Sequence, residues 1–321
     1  MSANYVALGD SYAAGVGAGA PTGLCWRSSA GYPVLVAGTL GVRLAYHACL
    51  GADIRHVREH QLGALGPSTE LVTLTVGGND IGFVPVLIAC AEPAWMRDSD
   101  PVIDAALVTL RERLPGLLAD LHDEVRAAAA QARRLVAGYP RLFGAHDCHL
   151  ATFFSDHELR RLNAAADELD AVVARAAEAA GAEFVDVAAR FAGHDVCAAD
   201  PWINGPSPIV VNSFHPDRDG HDAYAEGVLG TLGVTAERLR ALDADIEPGP
   251  CVPGPAPTFA LPDLTSERSL AGAAAHGLDV MEVAALGHRL NIAGVTGFPD
   301  EDASARLHEL DAQVCRRTGR P

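Results

Sequence analysis

The chain has no lysine: all 24 of its basic residues are arginine. That absence excludes Schiff-base catalysis, a phosphate-loop lysine and a Ser-Lys dyad. Basic charge is scarce as well, with 41 acidic residues and a formal net charge of −17. This balance argues against nucleic acid and anionic membrane surfaces as partners. No run is long and apolar enough to span a bilayer. Met1-Ser2-Ala3-Asn4 leads straight into a first strand, so no signal peptide is expected in the chain. Seven cysteines are an odd set and leave at least one thiol free.

What is present is ordinary in amount and informative in order. A chain of 321 residues, 49% hydrophobic and 20% charged, can bury a large α/β core with an appendage. Apolar runs of strand length alternate with helical patterns, which implies a parallel sheet of about five strands covered on both faces. The expected strands are Tyr5–Leu8, Arg43–His47, Leu71–Val76, Arg134–Ala137 and Glu183–Val187. Ser155 and Glu158 form a capping box for a helix from Asp156 to Ala180, and Gly181 supplies its stop. Asp100-Pro101 opens another helix, which Pro115 breaks or kinks. Asp219-Gly220-His221 opens a third.

From Glu247 to Pro262 the composition turns to proline and glycine, the mark of a semi-rigid linker. The expected organisation is therefore a domain over 1–246, a linker over 247–262 and a helical extension over 263–321. That extension has three short helical patterns, Thr265–His276, Asp279–Ile292 and Asp300–Arg317. Its acidic residues outnumber its arginines, which weighs against a DNA-binding role. A packing appendage is the first reading, a lid the second, and docking of an unidentified protein partner the third.

Three segments carry chemistry. Tyr5-Val6-Ala7-Leu8 runs into Gly9-Asp10-Ser11, placing a serine where open α/β sheets form their ligand crevice. Gly77-Gly78-Asn79-Asp80 follows another strand, and Ser213-Phe214-His215-Pro216 comes late in the chain. Together they offer a nucleophile, a side-chain amide donor and a general base, the inventory of acyl transfer. The small residues around Ser11 suit a shallow, accommodating site. Asp10 and Asp80 are read as loop architecture.

This combination resembles the SGNH (GDSL) hydrolase family, most closely its secreted bacterial lipases, phospholipases and esterases. The likeness spans about residues 3–235 and includes Cys25-Trp26-Arg27-Ser28-Ser29, Ala48-Cys49-Leu50-Gly51-Ala52, Gly138-Tyr139-Pro140-Arg141 and Pro201-Trp202-Ile203. It implies a flavodoxin-like three-layer α/β/α sandwich. It also implies Ser11 as nucleophile, His215 as base, and an oxyanion hole from the Ser11 and Gly51 N–H groups and the Asn79 amide. Many members carry aspartate three residues before the histidine, where this chain has Asn212. Some secreted relatives orient the ring with a main-chain carbonyl, which here points to Ser213 or Asn212, leaving Asp217 a lesser choice. Cys25–Cys49 and Cys148–Cys197 are the implied bridges. The usual partner of Cys90 is missing, with Cys251 as a substitute. The cysteine framework favours a secreted mature chain, while the absent signal leaves a cytoplasmic one open.

Rival motifs are weaker. Gly15-Val16-Gly17-Ala18-Gly19-Ala20 begins too far from its strand to be a dinucleotide fingerprint. His56 and His60 read as a solvated helix face, and Cys148 near His146 and His149 as a disulfide half rather than a zinc ligand. Asp217-Arg218-Asp219-Gly220 is too short for a calcium loop. No metal or cofactor is indicated. The function expected is an esterase or lipase acting on a small-molecule or lipid ester. The alternatives are an acyltransferase or ester-tailoring enzyme using the same acyl-enzyme, and a non-catalytic binding protein on this scaffold.

Overall fold

The computed structural model describes residues 4–235, 239, 244–296 and 299–320. In chain order its elements begin with β1 (Tyr5–Gly9), α1 (Ser11–Ala14), a two-residue ribbon of β2 (Pro21–Thr22) and β3 (Arg27–Ser28), α2 (Tyr32–Leu40), β4 (Leu44–Tyr46) and α3 (Ile54–His60). Then come β5 (Leu71–Thr75), α4 (Phe83–Ala91), α5 (Asp100–Glu112), α6 (Leu114–Ala128), β6 (Arg133–Ala137), α7 (Asp156–Ala179), β7 (Glu183–Val185) and α8 (Arg218–Thr231). β8 (Ile246–Pro248) precedes the three closing helices α9 (Glu267–Ala275), α10 (Val280–Thr296) and α11 (Glu301–Thr318). Among the described residues, no helix is long and apolar enough to cross a membrane.

The main sheet has six strands in the order β7-β6-β5-β1-β4-β8, every pair parallel. All five expected strands form. The sixth, β8, straddles the expected boundary between domain and linker and pairs with β4 along Leu44↔Ile246 and Tyr46↔Pro248. Sequence pattern missed it because three residues carry no period, and proline is tolerated on an edge strand. β1 is central and wholly buried, which explains its unbroken apolar run. Helices cover both faces: α2 packs on α8 on one side, and α3, α5, α6 and α7 pack together on the other.

Local chemistry accounts for the element ends. The Ser155 hydroxyl accepts from the Glu158 N–H while the Glu158 carboxylate accepts from the Ser155 N–H, so the capping box forms as expected. Pro115 starts α6 instead of bending a longer helix. Asp217 caps α8, its carboxylate accepting from the Gly220 N–H at 3.0 Å. At the end of β1, Gly9 has φ +128°, and a Cβ there would sit 2.1 Å from the Thr75 carbonyl oxygen. Only glycine lets the chain leave the sheet at this point, and Ser11 follows two residues later.

A second hydrophobic core joins α9, α10 and α11, built on Leu264, Val283, Leu307 and Val314 together with Trp95 and Phe153 from the preceding fold. The Trp95 indole N–H donates to the Ser269 hydroxyl at 3.1 Å, and Arg268 pairs with buried Glu92. Both implied disulfides are formed, Cys25–Cys49 and Cys148–Cys197. The substitute pairing of Cys90 with Cys251 is not. Cys90 is a buried thiol, while exposed Cys251 lies beside Cys25, its sulfur accepting the Cys25 N–H at 3.1 Å.

Candidate active site

Ser11 is the first residue of α1, buried at its N-terminal turn where Asp10 acts as cap. One Asp10 oxygen accepts the Tyr12 N–H at 2.9 Å, and the other accepts the Tyr139 hydroxyl at 2.6 Å. Burial pushes the Asp10 carboxyl up to about 7. Asp10 is thus structural, as expected, and so is Asp80, which accepts from the Ile54 N–H at 3.1 Å. Sequence reading did not find the Tyr139 contact, since 129 residues separate the partners.

His215 arrives from the far end of the chain. Its Nε2 lies 2.7 Å from the Ser11 hydroxyl and its Nδ1 3.0 Å from the Ser213 carbonyl. A carbonyl can only accept, so Nδ1 carries the hydrogen and Nε2 presents a lone pair to Ser11. The Asn212 carbonyl accepts from the His215 main-chain N–H at 3.2 Å instead, and Asp217 is engaged as the α8 cap. Burial pushes the imidazole down to about 4, against the opposing pull of the Ser213 carbonyl. The loop is tightly held. Asn204 donates to the His215 carbonyl at 3.0 Å, and the Tyr12 hydroxyl donates to the Phe214 carbonyl at 2.8 Å. Phe214 itself sits at φ +58°, a left-handed conformation uncommon for a bulky residue.

The loop Leu50–Gly51–Ala52 completes the site. Its Leu50 and Ala52 N–H groups donate to the Cys25 and Cys49 carbonyls. Its three carbonyls accept from the Gly254 N–H, the Ala256 N–H and the Asn79 side-chain amide. Of the six main-chain polar groups, only the Gly51 N–H has no partner among the described residues, although Gly51 is buried at φ +73°. Gly51 lines the cavity beside Ser11, where its N–H has no acceptor from the described residues. The 2.8 Å bond from Asn79 to the Ala52 carbonyl fixes which end of its amide is nitrogen and leaves a second N–H free.

Ser11, Gly51, Asn79 and His215 all line one cavity. Its remaining wall is mostly apolar and reaches Leu87 of α4, Ile103 and Leu110 of α5, and Leu162 and Leu169 of α7. The site is therefore deeper than the small residues near Ser11 imply. Large side chains from helices distant in sequence build its walls. Two further expectations change. His56 is buried, not solvated, with Nε2 2.8 Å from the Val252 carbonyl. Pro257, Thr258 and Phe259, expected in a linker, line the cavity.

A buried strand-end serine bonded to a histidine, beside unpartnered donors on a doubly covered parallel sheet, defines the site architecture of an SGNH-type hydrolase. The GDSL-like lipase/acylhydrolase family model matches residues 7–223, and the chain belongs to that family of ester hydrolases. It is 37% identical over 240 residues to a lipase of Streptomyces rimosus, covering 72% of this chain and 86% of the relative. The solved extracellular lipase of the same organism superposes with a TM-score of 0.66 at 35% identity, over 70% of this chain and 98% of that one. A phospholipase A1 from Streptomyces albidoflavus superposes with a TM-score of 0.68 at 34% identity, over 72% and 99%.

Proposed function

We propose that this protein hydrolyses carboxylic esters with an apolar acyl chain, through an acyl-enzyme on Ser11. The carrying observation is the 2.7 Å contact of Ser11 Oγ with His215 Nε2, in a ring whose other nitrogen is held by the Ser213 carbonyl. As Ser11 Oγ bonds to the ester carbonyl carbon, its proton passes to His215 Nε2. The negative charge that develops on the carbonyl oxygen meets the Ser11 N–H, the Gly51 N–H and the free Asn79 amide hydrogen. On collapse, His215 returns the proton to the departing alcohol oxygen. Water then repeats the sequence on the acyl-enzyme and releases the acid. The Ser213 carbonyl dipole stabilises the transient imidazolium where other hydrolases use a carboxylate.

The apolar wall along α4, α5 and α7 supports placing the acyl chain there, since a lipid tail gains about 0.8 kcal/mol per buried methylene. The names of the relatives, lipase and phospholipase A1, agree with a lipid-like ester. The test is pre-steady-state kinetics on p-nitrophenyl esters from acetate to palmitate. Wild type should release a burst of nitrophenol equal to the enzyme concentration, with a chain-length optimum beyond acetate. Ser11→Ala should lose burst and turnover together; turnover retained in that variant refutes the mechanism.

A further inference from the structure

Beyond residue 223, where the family match ends, the chain returns across the site. From Gly249 to Phe259 it runs as an irregular strap with neither helix nor strand. Arg27 donates to the Gly249 and Pro250 carbonyls at 2.8 Å each, and His56 holds the Val252 carbonyl. At the other end buried Phe259 packs edge-on against Phe214, ring centres 4.8 Å apart, next to His215. Between these anchors the strap lies directly on the Gly51 loop. A Cβ at Gly254 would fall 2.1 Å from the Gly51 carbonyl carbon and oxygen.

Pro253-Gly254-Pro255-Ala256-Pro257 has only two main-chain N–H groups, because proline has none. Both are spent on the loop: Gly254 donates to the Leu50 carbonyl at 2.8 Å and Ala256 to the Gly51 carbonyl at 3.1 Å. The Leu50 carbonyl and the Gly51 N–H belong to one planar trans peptide and point in opposite directions. Holding that carbonyl against the strap therefore turns the Gly51 N–H away from the strap. Glycine at φ +73° leaves this peptide intrinsically free to rotate, and a rotated peptide would offer the site an acceptor in place of a donor.

We propose that Gly254 and Ala256 are positioning residues for ester hydrolysis: gripping the Leu50 carbonyl, in the peptide that carries the Gly51 N–H, and the Gly51 carbonyl, in the next peptide, their N–H groups pin both sides of the Gly51 Cα and so aim the Gly51 N–H at the developing oxyanion. The proposal rests on the reading of Gly51 as an oxyanion donor. The strap is then a preorganising part of the active site contributed from outside the matched family region. Its prolines stiffen it so that little ordering is left to do when substrate binds.

The test compares Ala256→Pro, which deletes one N–H, with Ala256→Gly, which keeps it, on p-nitrophenyl butyrate in the full chain. Because a misaimed donor is a partial loss of an oxyanion contact, Ala256→Pro should lower kcat by about tenfold or more, with KM changed less than about threefold. Ala256→Gly should stay near wild type. Gly254→Ala, whose methyl group must displace strap or loop, should behave like Ala256→Pro and serves if that variant does not fold. Wild-type kcat in the folded Ala256→Pro or Gly254→Ala variant overturns the proposal, as does a change confined to KM. Ser11→Ala separates the two levels. Turnover retained there removes the nucleophile itself, whereas an inactive Ser11→Ala beside a fully active Ala256→Pro overturns the strap alone.

Discussion

At the scale of single residues, the proposed base, His215, is tuned by what surrounds it. Burial lowers the His215 imidazole to about 4, so the ring stays neutral and able to accept the Ser11 proton far into the acid range. Protonation of the free enzyme removes that capacity. The acid limb of kcat/KM should therefore be half-maximal near pH 4, well below the usual histidine value of about 6.5. Initial rates taken only where circular dichroism shows the folded state would check this; a limb centred near 6.5 would mean a solvated base. Ser11, His215, Asn79 and Gly51, proposed for the site because each stands in a short motif at an element end, line one cavity. The hold on His215 was only half legible. Asn212 in place of an aspartate pointed to a main-chain carbonyl, but choosing Ser213 over Asn212 required the conformation of Phe214 at φ +58°.

At the scale of elements, local rules did most of the work. The 24-residue helix α7 begins and ends where its capping box and Gly181 place it. Ser155→Ala removes the hydroxyl that accepts the Glu158 N–H and weakens the reciprocal box. That change should destabilise the protein by about 1 kcal/mol, read as a lower urea midpoint at unchanged slope. No shift would mean that Glu158 alone, through its bond to the Ser155 N–H, holds the helix start. The strand β8 and the strap after it escaped local reading for one shared reason. Proline-rich chain has no internal hydrogen-bond pattern, so its conformation is set by the surface on which it lies.

At the scale of the whole molecule, two cores share a seam. The helices of 263–321 close their own core on Trp95 and Phe153, and the Ala94 N–H donates to Asp311 at 2.6 Å. We read this extension as an appendage docked by its own apolar face; the strap before it, not the helices, lines the cavity. Trp95→Ala should cost about 3–5 kcal/mol in unfolding free energy, because the indole fills the seam and its N–H bonds Ser269. Denaturant unfolding followed by circular dichroism would show it. A loss below about 1 kcal/mol would mean that the seam repacks and that the two cores are energetically separate.

The sequence by itself determined five of the six strands and the limits of α7, because each is signalled by neighbours a few positions away. The two cysteine pairs followed from the family resemblance, and the four residues proposed for the site stand in short motifs at element ends. Tertiary structure alone decided the cavity's depth, the burial of His56 and the grip of Gly254 and Ala256 on the Gly51 loop. Those features arise where segments about 200 residues apart meet, as Ser11 meets His215 at a separation of 204. No periodicity or capping rule spans such a distance. Contacts of that kind are set by how whole layers pack, and packing becomes specific only once the chain has closed on itself.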